Sequence, residues 1–272
     1  MIGDSFIGMN PFQLIALIAS GLTLLLMADA LAGHYRSGFT FRSQYLPFIS
    51  GGLLLIASLA AVVVPTATPI NRALRGAALL TIASGLIGFG FHHYYGIVKK
   101  PGGYKWLLHY LMYGAPQLAP LAFAITGLLA LVAAHGLAGE PNIFGLSIRE
   151  ALLTQVAAAL AGATLQATIL HYRGAFNNPA MYAPLTAPIL AAAAAISMIV
   201  VPNNVTSFAL TILLWLTFVI GFVGLGMHLR GLGRQMGGLY LLKFNLLEGP
   251  PAWAPALFSG FAVVGLVVVY LL

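Results

Sequence analysis

The chain has 272 residues, of which 60% are hydrophobic and only 6% charged, with a formal net charge of +7. A soluble domain carries about 25% charged residues, so this composition excludes a water-soluble globular protein. The basic residues sit at the ends of apolar runs, where they anchor and orient a membrane protein and do not form a nucleic-acid footprint. The chain has no cysteine, which removes disulfides, zinc–thiolate sites, iron–sulfur ligation and covalent c-type haem attachment.

Taken in chain order, Met1 to Asn10 has no basic segment, so the first apolar run is expected to be a retained helix and not a cleaved signal. Runs long enough to cross a hydrocarbon core of roughly 30 Å predict eight transmembrane helices near 11–33, 45–65, 74–97, 116–137, 149–171, 181–201, 207–229 and 251–272. They are continuously apolar and lack the alternation of a membrane β-barrel, so the fold class is all-α and polytopic. Two amphiphilic stretches, 104–113 and 238–248, precede the fourth and eighth spans. Pro116 and Pro251 suit a first helical turn, and Pro120 and Pro255 are then expected to kink the turn that follows.

With eight spans, the odd-to-even loops share one face. That face carries Arg36, Arg42, Lys99, Lys100, Lys105, Arg173, Arg230, Arg234 and Lys243, against Arg72, Arg75 and Arg149 on the other. This bias predicts a bacterial inner-membrane protein with the basic face cytoplasmic and both termini outside.

An internal repeat runs through the chain. The segment 34–47, HYRSGFTFRSQYLP, matches 171–184, HYRGAFNNPAMYAP; GLIGFGFH at 85–92 matches GFVGLGMH at 221–228; GAPQLAPLAF at 114–123 matches GPPAWAPALF at 249–258. The matches include His, Arg, Tyr, Pro and patterned Gly, which do not interchange freely. They predict two four-helix repeats, 1–140 and 141–272. A unit with an even number of spans re-enters from the same side, so the repeats are parallel, related by an axis along the membrane normal.

His34, His92, His171 and His228 end the first, third, fifth and seventh spans and so lie on the basic face. Gly85, Gly88 and His92 share one helix face, as do Gly221, Gly224 and His228. A histidine above bare turns leaves a flat slot that suits a haem macrocycle or a quinone ring, and imidazole is the usual axial ligand of a b haem. Arg36 and Arg173, two residues past a histidine, are placed to pair with propionates. Close helix packing accounts equally for the glycines, and capping of terminal carbonyls for the histidines. Asp29 lies within the first span, where the second copy has Gln166; an intramembrane carboxylate reads as a candidate proton relay or as a protonated hydrogen-bond donor. His93 and His109 are expected at the interface, His135 in a structural role on the opposite face, and Glu248 beside a helix N-terminus. No residue is assigned a catalytic role.

The stretches HYRGAFNNPAMY, GLGRQMGG, NLLEGPPAWAP and HHYYGIVKKPGG resemble a family of bacterial eight-helix membrane proteins. That resemblance covers most of the chain and implies no particular activity. Two four-helix bundles in one chain are also similar in architecture to the quinol-binding membrane subunits of the polysulfide-reductase type, a likeness that carries no residue across. The function expected from these features is a membrane electron-transfer subunit binding b haem, quinone or both at the basic end of the bundle, within a larger redox complex. A cofactor-free anchor subunit and a small-solute transporter are the alternatives.

Overall fold

A computed structural model describes residues 8–249 and 251–272. Ten α-helices follow in chain order: α1 (Pro11–Arg36), α2 (Leu46–Val63), α3 (Thr68–His93), α4 (Leu107–Tyr113), α5 (Ala119–Leu137), α6 (Ile148–Arg173), α7 (Ala187–Val200), α8 (Asn204–Arg234), α9 (Leu242–Glu248) and α10 (Ala254–Leu271). All but α4 and α9, with their flanking turns, form eight segments long and apolar enough to cross a membrane. The protein is therefore an all-α, polytopic membrane protein.

Helix starts follow side-chain chemistry. Asn10 accepts from the backbone N–H groups of Phe12 and Gln13 while the Gln13 side chain returns to Asn10 N, a capping box that opens α1. Ser147 with Glu150 opens α6 in the same way, and Asn203 with Thr206 opens α8. The third span starts at Thr68, earlier than the apolar run suggests, because Pro69 fits a first turn and Asn71 and Arg75 continue the helix toward polar surroundings.

The proline expectation needs correction. α5 and α10 start at Ala119 and Ala254, so Pro120 and Pro255 occupy their first turns and kink nothing. Pro116 and Pro251 precede the helices in extended loops. A helix begins most readily where a proline's missing N–H is an orphan donor in any case, and the second proline of each pair meets that condition. The amphiphilic stretches are separate short arms, α4 and α9, each closed at its C-terminus by a glycine in extended conformation, Gly114 or Gly249.

Helices α1, α2, α3 and α5 pack as a four-helix bundle in which α1 and α3 occupy opposite corners; α6, α7, α8 and α10 repeat the arrangement. Between the bundles α1 packs on α10 and α5 on α6. Exchanging the copies maps one contact onto the other, as a twofold axis along the membrane normal requires. A two-residue hairpin, Asn142–Ile143 with Leu146–Ser147, joins the halves. Small residues line the helix contacts, among them Ala16, Ala19, Ala57, Ala78, Ala130 and Ala191, all buried, while Leu24, Ile56, Val63, Phe208 and Phe222 point outward. That is the pattern of helices whose outer solvent is lipid.

Candidate functional site

The conserved spacing within the two copies becomes geometry at the end of α1 and of α6. Each helix is terminated by a left-handed pair, Gly38 and Phe39 in the first copy, Ala175 and Phe176 in the second. The turned-back Phe39 N–H donates to His34 O, and Phe176 N–H to His171 O. The phenyl rings then lie edge-on to the imidazoles, with centroids 6.0 Å apart for Phe39–His34 and 6.2 Å for Phe176–His171. Tyr45 stacks on Phe39 at 4.8 Å and Tyr182 on Phe176 at 4.5 Å. Ten residues past each histidine a carbonyl meets its ring: His34 Nδ1 is 3.0 Å from Gln44 O and His171 Nδ1 is 2.8 Å from Met181 O.

The histidines of α3 and α8 are held by the proline loops. His92 Nδ1 lies 2.9 Å from Pro116 O, and His228 Nδ1 lies 2.8 Å from Pro251 O. A carbonyl only accepts, so Nδ1 carries the proton in all four rings. In the neutral imidazole Nε2 is then the nitrogen with the lone pair. This is the orientation seen in metal-bound histidines, where a backbone carbonyl fixes the tautomer from behind.

The structure pairs His34 with His92 in the first bundle. His34 and His92 reach toward one another from opposite corners, with ring centroids 6.3 Å apart and planes at 66°. In the second bundle His171 and His228 hold the equivalent positions of the repeat. An imidazole centroid sits about 3 Å from a metal bonded at roughly 2 Å, so the 6.3 Å separation of the His34 and His92 rings would leave room for one metal between them. The four histidines lie toward the C-terminal ends of α1, α3, α6 and α8, at the same end of the molecule.

The glycines do something different from leaving a slot. A Cβ on Gly85 would lie 2.6 Å from both Ala124 N and Pro120 O of α5, and one on Gly88 would lie 3.2 Å from Pro120 Cβ. In the second copy, a Cβ on Gly221 would lie 2.7 Å from Ser259 N and 2.8 Å from Pro255 O, and one on Gly224 would lie 3.1 Å from Pro255 Cβ. The bare turns are filled by the next helix. They bring α3 against α5 and α8 against α10, which sets the proline carbonyls beside His92 and His228.

Arg36 and Arg173 are likewise engaged by the protein. Arg36 donates to Leu247 O and its Nε lies 3.9 Å from Glu248 Oε1; Arg173 donates to Met112 O at 3.5 Å and lies 5.2 Å above the Tyr113 ring. Glu248, expected beside a helix N-terminus, instead ends α9, where a carboxylate is electrostatically unfavourable, and the Arg36 contact offsets that. Asp29 lies seven residues beyond Leu22, the α1 residue that fills the space at Gly260 of α10, so it is on the helix face toward the second half.

His93 Nε2 is 2.6 Å from Tyr104 OH, while His109 packs against Tyr110 and Tyr113, both at the basic face. At the opposite end His135 Nδ1 is 2.6 Å from Glu140 Oε2, and Arg75 is 2.6 Å from Glu140 Oε1. The backbone carbonyls of Gln44, Met181, Pro116 and Pro251 are functional groups that the sequence reading missed. The equal ten-residue spacing after His34 and His171 was the available signal for the first two. Among the described residues no group of three or more His, Cys, Asp or Glu is arranged to hold a metal ion. No protein-family model matches the chain, and no curated protein or solved structure matches it either.

Proposed function

We propose that this protein is an integral membrane electron-transfer subunit that binds b haem between the histidines of each half, His34 with His92 and His171 with His228. The observation that carries the reading is the 6.3 Å separation of the His34 and His92 rings, each with Nδ1 committed to a backbone carbonyl. A bare metal ion typically takes about four ligands, more than a histidine pair supplies. A b haem would need only two imidazoles from the protein, which a histidine pair would supply. Bound there, it would supply one-electron transfer. Within the chain, the carbonyls orient the imidazoles, and the aromatic clamps Phe39–Tyr45 and Phe176–Tyr182 fix two of them against rotation. Asp29, about one and a half turns below His34, is the carboxyl we assign to proton exchange with the first pair.

The basic end is assigned to the cytoplasmic side of a bacterial inner membrane, following the positive-inside rule. Among the described residues there is no large soluble domain, and chemistry on soluble substrates is assigned to partner subunits.

A dithionite-reduced minus oxidised visible spectrum tests the reading. Sharp α and Soret bands at two haems per chain are expected, halved by His92→Ala or by His228→Ala and abolished in the double variant. A folded, colourless protein would overturn the haem assignment. Lipid extraction would then separate quinone binding from a cofactor-free anchor.

A further inference from the structure

We propose that Arg36 and Arg173 are positioning residues for the histidine pair of the opposite half: Arg36 for His171–His228, and Arg173 for His34–His92. The inference rests on reading those pairs as ligand sites, and it assigns the arginines a role other than pairing with a ligand beside their own histidine.

The geometry crosses between the copies. Arm α9 belongs to the second half, but its C-terminal carbonyl, Leu247 O, and its last side chain, Glu248, are held by Arg36 from the first. Arm α4 belongs to the first half, and its Met112 O and Tyr113 ring are held by Arg173 from the second. Leu247 and Met112 are the same position of the repeat, as are Glu248 and Tyr113. Terminal carbonyls of a short helix have no intrahelical partner, so an arginine donor fixes where the arm ends. Three residues later the same strand presents the carbonyl that holds a histidine, Pro251 O to His228 and Pro116 O to His92. Pro116 and Pro251 fix their own φ. Displacing the end of an arm therefore displaces the carbonyl that sets the tautomer of the other half's histidine.

The two arms are tied differently. In the first copy Gln117 Nε2 donates to both Ala115 O at 3.0 Å and His92 O at 3.1 Å, a second tie on the loop. The corresponding residue of the second copy is Ala252. On the arm itself the second copy has its own tie, Asn245 Nδ2 donating to Gly238 O at 2.8 Å, where the first copy has Tyr110.

The test uses the full chain in detergent with 15N-labelled histidine. Arg36→Ala is expected to move the His228 ring resonances toward tautomer-averaged positions while His34 and His92 keep theirs, and Arg36→Lys, which keeps a donor, is expected to restore most of the change. An unchanged His135 signal from the opposite end confirms that the variant folds. Movement at His34 with His228 unaltered, or no movement at either, would overturn the crossed assignment. In pigmented protein, Arg36→Ala should shift the midpoint potential when only the second site is kept, in a His92→Ala background, and leave it unaltered when only the first is kept, in a His228→Ala background. A flat visible spectrum in the wild type would end the haem reading alone, since the histidine resonances still decide whether the arginines act across the interface.

Discussion

A histidine in this protein is defined as much by what stands behind it as by its own ring. Each of the four is oriented by a carbonyl that accepts from Nδ1, and two are also pinned by an aromatic edge. The glycines beneath His92 and His228 act through packing, which makes them testable apart from any cofactor. Gly85→Ala should destabilise the protein by about 1–3 kcal/mol through overpacking against α5. Gly90→Ala, where an added Cβ meets nothing within 4 Å, should be neutral or slightly stabilising, as expected for alanine in a helix. Reversible unfolding in mixed detergent would rank the two, and equal stabilities would show that α3 and α5 can separate at no cost. Asp29→Asn carries a different expectation: it should flatten the pH dependence of the midpoint potential of the first site. An unaltered slope at the first site would remove Asp29 from proton exchange.

At the scale of single elements, the end opposite the histidines has its own ion cluster. The Arg75 guanidinium donates to Glu140 and holds its carboxyl below the ordinary carboxylate range, with His135 contributing on the other oxygen. Such a carboxyl adds stability in full above its unfolded pKa and loses it as the pH falls through the lower folded value. The thermal midpoint of the wild type should therefore exceed that of Glu140→Gln at neutral pH, and the gap should close below about pH 4. A gap that persists in acid would mean that the ion pair is not its source. Element ends were also where the sequence was hardest to read. The eight apolar runs, and the loop residues Phe39, Tyr45, Phe176 and Tyr182, stood out because the repeat preserves them. The starts of α3, α5 and α10 did not, since an apolar run says nothing about which of two nearby prolines will occupy a first turn. The role of the glycines was ambiguous for a similar reason: a bare helix face invites a ring or a second helix equally, and only the packing of α5 and α10 decides.

At the scale of the whole molecule, the histidine pairing could not be read from periodicity. The repeat placed His34, His92, His171 and His228 on one face, but whether partners come from one half or from both depends on which helices occupy opposite corners of a bundle. The same holds for Arg36 and Arg173, whose contacts lie across the interface. Orientation in the membrane follows from charge and can be tested directly, because the chain has no native cysteine to remove. A single cysteine replacing Lys100 should react with an impermeant thiol reagent from the cytoplasmic side, and one replacing Glu140 from the outside; the reverse pattern would invert the assignment.

The exchange of α1–α10 and α5–α6 contacts across the interface has a bearing on origin. A lone four-helix unit would present the matching surfaces to a copy of itself, as expected of a homodimer fused end to end. Fragments 1–140 and 141–272 expressed as separate chains should accordingly find one another and co-purify. Fusion also frees the partners from identity, since each half can change without forcing the same change on the other. Gln117 against Ala252 and Asp29 against Gln166 are such departures, and they fall beside the two otherwise equivalent sites. On the proposed reading, a symmetric pair would hold two haems of equal potential and give an electron no direction; a diverged pair would set one above the other.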